Sequence, residues 1–268
     1  MPTLLGLVAV ALYAVATGLL MRTLASPGTP RLRWMLLCAL GALVAHALML
    51  RGVIVGPSGL DLGFFNALAL ATWVMVLMVL LLNFHQPVAS MGAILFPLAA
   101  LAVGLALVFS SGGAAPVLPA HPSGIDIHVL LSVCAYGVLG LAALQSILLG
   151  IQHRQLHEHH PTRVMHVLPP LYSMETLMFR MLAIGFGLLT LALGSGFVFL
   201  EDMFAQHLVH KTVLSLLAWG LFGTLLAGHH FAGWRGPTAV GITLGGFALL
   251  ALGYFGSKLV LELILARP

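Results

Sequence analysis

The chain has 268 residues and a formal charge of +4; 60% of the residues are hydrophobic and only 7% are charged, with a mean hydropathy of +1.09. Soluble domains carry about 25% charged residues, so this composition excludes a soluble fold, and the short polar gaps leave no room for a separate folded soluble domain. The Lys and Arg excess then marks membrane faces and not a nucleic-acid partner.

Taken in order, the apolar runs predict about eight membrane-spanning helices. The first covers residues 3–24. It lacks a charged n-region and ends in Met21-Arg22, not in a small-residue cleavage site, so it is expected to remain as a helix. The turn Ser26-Pro27-Gly28-Thr29-Pro30 separates it from the second span, 34–50, which carries His46. The third span is 62–82, ended by Asn83-Phe84-His85-Gln86-Pro87, and the fourth follows to 109. A Gly/Pro/Ser-rich loop, 110–124, leads into the fifth, 127–149, with His128 near its start. The most polar stretch, 152–180, comes next and contains His153, Arg154, His157, Glu158, His159, His160, Arg163, His166, Glu175 and Arg180. The sixth span is 181–200, followed by an acidic and histidine-bearing loop, 201–211. The seventh is 212–228. A loop from His229 to Gly236 precedes the eighth span, to 264. The fold class expected is thus an all-α integral membrane bundle, one polytopic domain over 1–268.

Orientation is read from the basic residues between spans. Arg22, Arg31, Arg33, Arg154, Arg163, Arg180 and Arg235 fall on one side; Arg51, Lys211, Lys258 and Arg267 fall on the other. The first set predicts the cytoplasmic face, with both termini outside. His46 then lies in the outer half of its helix, and His128 and His210 lie at outer helix ends. An ionisable group in or beside the hydrocarbon region is costly and asks for a partner. A metal, haem iron above all, is one such partner. Hydrogen bonding to loop carbonyls or simple packing is the other reading for each histidine, and His210 could equally be a surface residue beside Lys211.

Residues 126–264 contain His128-Val129, Leu131-Ser132 and Tyr136; Glu175 and Phe179; Gly185-Phe186, Leu189 and Thr190; Lys211-Thr212, Leu216 and Trp219; Gly233-Trp234-Arg235-Gly236; and Tyr254-Phe255-Gly256-Ser257-Lys258. In these residues the sequence resembles the cytochrome c assembly family, the haem-handling membrane proteins of the CcsA/CcmC type, with its nearest likeness to the YpjD/HemX-like inner-membrane branch. The first four helices match in layout and in His46. The stretch 201–211, EDMFAQHLVHK, departs from the family's tryptophan-rich outer loop, since it holds no Trp. The resemblance implies non-covalent haem b, with His46, His128 and His210 as cofactor-binding candidates and His46 and His128 as the iron ligands. A role in haem handling or cytochrome c maturation follows from it, with lipid, haem and other maturation proteins as partners. The HemX-like likeness also leaves open a haem-free membrane adaptor or regulator that binds a soluble partner through 152–180.

Other features have plainer readings. Cys38 and Cys134 stand apart in apolar runs, and with no Cys-x-x-Cys-His there is neither covalent haem attachment nor a thiol–disulfide motif. His153 and His157 share a helical face at i,i+4 spacing, but the run to His166 reads as a solvated loop in which no Cys or Asp completes a zinc site. His121 and His207 fall in polar loops. Trp234 and Arg235 suit an interfacial anchor. Lys258 and Glu262 are spaced for a local ion pair. Gly194, Ser195 and Gly196 read as a close-packing run. No nucleophile elbow, phosphate loop or paired intramembrane carboxylate is present, so an enzyme is not expected. A small-solute transporter is disfavoured by the lack of evident inverted repeats.

Overall fold

The computed structural model of the chain describes residues 1–25, 31–56, 59–61, 63–83, 89–109, 123–158, 169–199 and 209–256. Among them are eight helices long and apolar enough to cross a membrane. They are α1 (Pro2–Ala25), α2 (Arg31–Ile54), α3 (Phe64–Leu82), α4 (Gly92–Phe109), α5 (Ser123–His157), α6 (Leu171–Phe199), α7 (Val209–Ala232) and α8 (Gly236–Ala251). A 3-10 turn, Ala89–Met91, leads into α4, and α8 continues as a π-helical turn, Leu252–Gly256. The chain is thus the all-α membrane protein that the apolar runs predict. A helix satisfies all its backbone polar groups internally, which is what hydrocarbon demands. Among the described residues there is also a small antiparallel ribbon of β1 (Val55–Gly56) and β2 (Gly59–Leu60), with Val55 opposite Leu60 and Gly56 opposite Gly59.

Several helices are longer than their apolar runs. Helix α5 has 35 residues, about 52 Å at 1.5 Å per residue, against a hydrocarbon core of about 30 Å. Its polar end, Gln152 to His157, continues the helix and is not a loop. Helix α6 begins ten residues before its expected start and takes in Glu175 and Arg180, and α7 runs on through His229 and His230. Hydropathy marks the part of a helix that suits lipid, while the backbone hydrogen bonds carry on into the polar flank. The 152–180 stretch is therefore helical at both ends among the described residues. His121, His159, His160, Arg163, His166, His207, Lys258, Glu262 and Arg267 lie outside the described residues, as do most of the 110–124 and 201–211 loops.

The chain forms two compact units, the first holding α1–α4 and the second α5–α8. In the first unit α1 packs along α2 and α4, and α3 packs on α4 and α2. Each helix turns one stripe inward. On α1 the stripe is Ala9, Tyr13, Ala16 and Leu20; on α2 it is Met35, Ala39, Ala42, His46 and Met49. Steps of three and four keep each set on one face. Leu4, Leu7 and Val15 on α1, and Leu37, Leu40, Val44 and Leu48 on α2, point outward, as lipid-facing residues do.

In the second unit α5 packs closely along α6 and also on α8, and α7 packs on α8 and α6. The inward stripe of α6 is Met174, Met178, Leu182, Gly185, Leu189, Ala192 and Gly196. Lipid tails are as apolar as leucine, so helices associate here through close van der Waals packing and interhelical hydrogen bonds. Gly185 shows the closeness: a Cβ there would fall 2.6 Å from Leu139 Cδ2 on α5. Gly194, by contrast, has nothing within 4 Å of such a Cβ, so the Gly194-Ser195-Gly196 run is not a continuous packing stripe. Cys38 and Cys134 are free and half-buried, not fully enclosed core residues.

Candidate functional site

His128 stands one turn inside the N-terminal end of α5 and faces the last turns of α6. Its Nδ1–H donates to the Ala192 carbonyl at 2.9 Å, and Ser195 Oγ lies 3.1 Å from the same nitrogen. Ser195 in turn donates to the Ala192 carbonyl at 2.8 Å, the backward bond of a serine to a helix carbonyl three residues before it. His128 is half-buried, and its Nε2 makes no hydrogen bond among the described residues. One ring nitrogen is tied to a carbonyl while the other is left open, which is the usual condition of a metal-ligating imidazole.

His46 has the same division of roles in a different setting. It lies on the inward stripe of α2, 0% exposed. Its Nδ1 shares a 3.3 Å hydrogen bond with the Tyr13 hydroxyl of α1. The two rings meet edge to face at 6.0 Å, and Phe96 of α4 stacks on the Tyr13 ring at 6.1 Å. Its Nε2 is buried without a hydrogen-bond partner. An orphaned buried polar atom costs about 1–3 kcal/mol, and a ligand on Nε2 would remove that cost. The surrounding packing is closed, however, so an iron on Nε2 requires the helices of this unit to part.

His210 lies in the first turn of α7 and is exposed. Its neighbour Lys211 places its ammonium 5.8 Å from the centre of the Tyr254 ring. Tyr254 lies in the π-helical turn and packs with Phe255 against Tyr136 of α5, whose hydroxyl donates to the Leu250 carbonyl. His128 and His210 thus belong to the second unit and His46 to the first.

A haem group brings four equatorial nitrogens of its own and needs one or two axial side chains from the protein. Among the described residues no three His, Cys, Asp or Glu side chains come together to cage a bare metal ion, whereas a single open imidazole suits haem. His128 fits that demand in chemistry and access. His46 fits it in chemistry. The sequence reading missed Ser195, Ala192 and Tyr13. Only Tyr13 gave a signal, as a phenol on the same helical stripe as Ala9 and Ala16. No pattern marks a backbone carbonyl as a histidine's partner.

The other end of the second unit carries a different polar arrangement. Gly233 has φ +67° and Gly236 φ +57°, a left-handed backbone that favours glycine. Between them Trp234 N–H donates to the Gly228 carbonyl at 3.1 Å, and its ring lies over Gly228, leaving no room for a Cβ. His229 Nδ1–H donates to the Trp234 carbonyl at 3.0 Å and its ring stacks on Phe179 at 3.6 Å. The Glu175 carboxylate accepts the Gly236 N–H at 2.7 Å. The Gly233-Trp234-Arg235-Gly236 run is therefore a braced turn that Glu175 and Phe179 hold from α6, which is more than an interfacial anchor. The His153 ring would lie 3.4 Å from a Cβ on Gly236, and His153 Nε2 and Gln152 Oε1 are buried without a hydrogen-bond partner. Arg154 and Glu158 form an exposed ion pair at 2.8 Å.

Comparison with known proteins bears on the same residues. The family model "Cytochrome C assembly protein" matches residues 34–265, a span that begins in α2 and takes in His46 as well as His128. The inner membrane protein YpjD of Escherichia coli K12 is 34% identical over 263 residues, covering 96% of this chain and 98% of YpjD. The cytochrome c biogenesis protein CcsA of Trieres chinensis is 23% identical over 256 residues, 81% of each chain. The CcsA of Chlamydomonas reinhardtii is 27% identical over 152 residues, 56% of this chain and 42% of that one. No solved structure matches the chain. With eight helices long and apolar enough to cross a membrane among the described residues, and with this relationship to YpjD, the chain is an inner-membrane protein, and it belongs to the cytochrome c assembly protein family.

Proposed function

We propose that this protein binds haem b non-covalently in the inner membrane and acts in haem handling or cytochrome c maturation. The observation that carries the reading is His128, with Nδ1 bonded to the Ala192 carbonyl and Nε2 left open. His128 would hold the haem iron through Nε2, and Ala192 and Ser195 would orient its ring. His46, in the first unit, would be a separate candidate ligand once the α1–α2–α4 packing around it opens. When bound, haem supplies an iron centre for one-electron chemistry or for delivery. The protein's own contribution is to fix the imidazole, exclude bulk water and keep the cofactor within the lipid boundary. The excess of Arg in one set of interhelical segments argues for a cytoplasmic position of that set, with the opposite helix ends facing outward. His128 and His210 then sit near the outer leaflet, in reach of partners that take or give haem there.

The haem-free adaptor reading draws on the opposite end of the second unit. Arg154 and His157 on α5, Glu158 just after it, Tyr172 on α6 and Phe231 on α7 are all exposed there, on or beside helices longer than the hydrocarbon core requires.

An absorption spectrum of the detergent-purified protein, with a pyridine haemochrome assay, separates the two. A stoichiometric b-type signal that His128→Ala abolishes supports haem ligation. A wild type that stays colourless after haem is added refutes it and favours the adaptor.

A further inference from the structure

The Ser195 hydroxyl, the Ala192 carbonyl and the His128 Nδ1 form a closed triangle with sides of 2.8, 2.9 and 3.1 Å. A carbonyl oxygen has only lone pairs to offer. At 2.9 Å from it, Nδ1 must carry a proton, and a neutral ring then has its lone pair on Nε2. The Ser195 proton is committed to the same carbonyl, so the Ser195 oxygen faces Nδ1 as a second acceptor. The opposite arrangement, Ser195 donating to a bare Nδ1, would set the Nδ1 lone pair against the carbonyl's at 2.9 Å.

We propose that Ser195, together with the Ala192 carbonyl, is the positioning group that holds His128 in its Nδ1–H tautomer and so presents the Nε2 lone pair to haem iron. The proposal rests on the haem reading for its ligand but not for its tautomer. Two features of α6 suit the role. Ala192 is buried on the stripe that packs against α5, and Ser195, one turn later, is half-buried, so the pair reaches across the interface without a long side chain. The two acceptors also fix the ring plane, which a single hydrogen bond would leave free to swing. Partners of this kind typically change metal affinity 10–100-fold when removed.

The test uses the full-length chain in detergent. Histidine is labelled with 15N, and the His128 signals are assigned by their loss in His128→Gln. In the haem-free wild type a protonated, pyrrole-type Nδ1 and a bare, pyridine-type Nε2 are expected. A protonated Nε2 overturns the proposal whatever haem does. Haem titration then follows. Ser195→Ala should bind haem about tenfold more weakly, with the same unfolding temperature as the wild type, and Ser195→Thr should regain most of the affinity. Unchanged haem affinity in Ser195→Ala overturns the positioning role. A wild type that takes up no haem refutes the proposed function and with it the ligand half of this proposal, while the nitrogen signals still decide the tautomer.

Discussion

The Tyr13–His46 pair lets the cost of a polar contact inside this membrane unit be measured directly. Both side chains are 0% exposed, their hydrogen bond is long at 3.3 Å, and His46 Nε2 is already without a partner. Side-chain hydrogen bonds between membrane helices average about 0.6 kcal/mol and reach about 1.7, and the length puts this one near the average. Tyr13→Phe keeps the stack on Phe96, removes the bond and leaves both His46 nitrogens unpartnered. It should cost about 1 kcal/mol, from the lost bond and part of the penalty of an orphaned nitrogen. His46→Leu removes one orphan, Nε2, and creates another, the Tyr13 hydroxyl, so its net effect should be small. The double variant leaves no buried polar atom at either position and should be at least as stable as the wild type. A double-mutant cycle on unfolding of the detergent-solubilised chain reads these terms. If Tyr13→Phe is harmless and the coupling is zero, the contact contributes nothing and the account of His46 as a tethered imidazole fails.

Two further substitutions test the second unit. Gly185→Ala places a Cβ 2.6 Å from Leu139 Cδ2 and 3.4 Å from its backbone nitrogen; overpacking of about 1–3 kcal/mol outweighs the gain of about 1 kcal/mol from helix propensity. Its unfolding midpoint should fall while that of Gly194→Ala, a site with nothing within 4 Å, should not; equal midpoints would show that α5 and α6 can separate freely at Gly185. Glu175→Ala leaves the Gly236 N–H without the acceptor now 2.7 Å away. This should cost about 1 kcal/mol and speed hydrogen exchange in the first turn of α8, while Glu175→Gln keeps an oxygen acceptor and should lose about half as much; an exchange rate unmoved by Glu175→Ala would mean the carboxylate does not brace the turn.

The sequence shows the membrane helices plainly because hydrocarbon imposes a length and a composition that few other structures satisfy. It shows their ends poorly, since Gln152 to His157 and Glu175 to Arg180 are polar enough to look like loop and yet continue their helices. His128 and His46 are visible because an ionisable group in an apolar run stands out. Their partners are not. Ser195 sits between two glycines and looks like a packing residue, and the Ala192 carbonyl is a backbone atom. Tyr13 is separated from His46 by 33 residues, and only the pairing of α1 with α2 brings them together. The braced Gly233–Gly236 turn escaped for a similar reason: its acceptor, Glu175, is 61 residues upstream on another helix.

The two histidines differ in access more than in chemistry, and under the proposed haem reading that difference would order their use. Each has Nδ1 engaged, and neither Nε2 has a hydrogen-bond partner among the described residues. His128 is half-buried at a helix end, so its Nε2 can meet a ligand with the α5–α6 packing intact. His46 is enclosed by Tyr13 and the inward faces of its own unit, and ligation there must first undo part of a packed core. A large planar cofactor arriving from the lipid or from a partner would therefore engage His128 first, and any ligation at His46 would be slower and coupled to movement of α1, α2 or α4. In stopped-flow mixing with haem this predicts a fast phase lost in His128→Ala and a slower phase lost in His46→Ala. A single phase that survives His128→Ala and disappears in His46→Ala would reverse the order and show that the first unit opens readily.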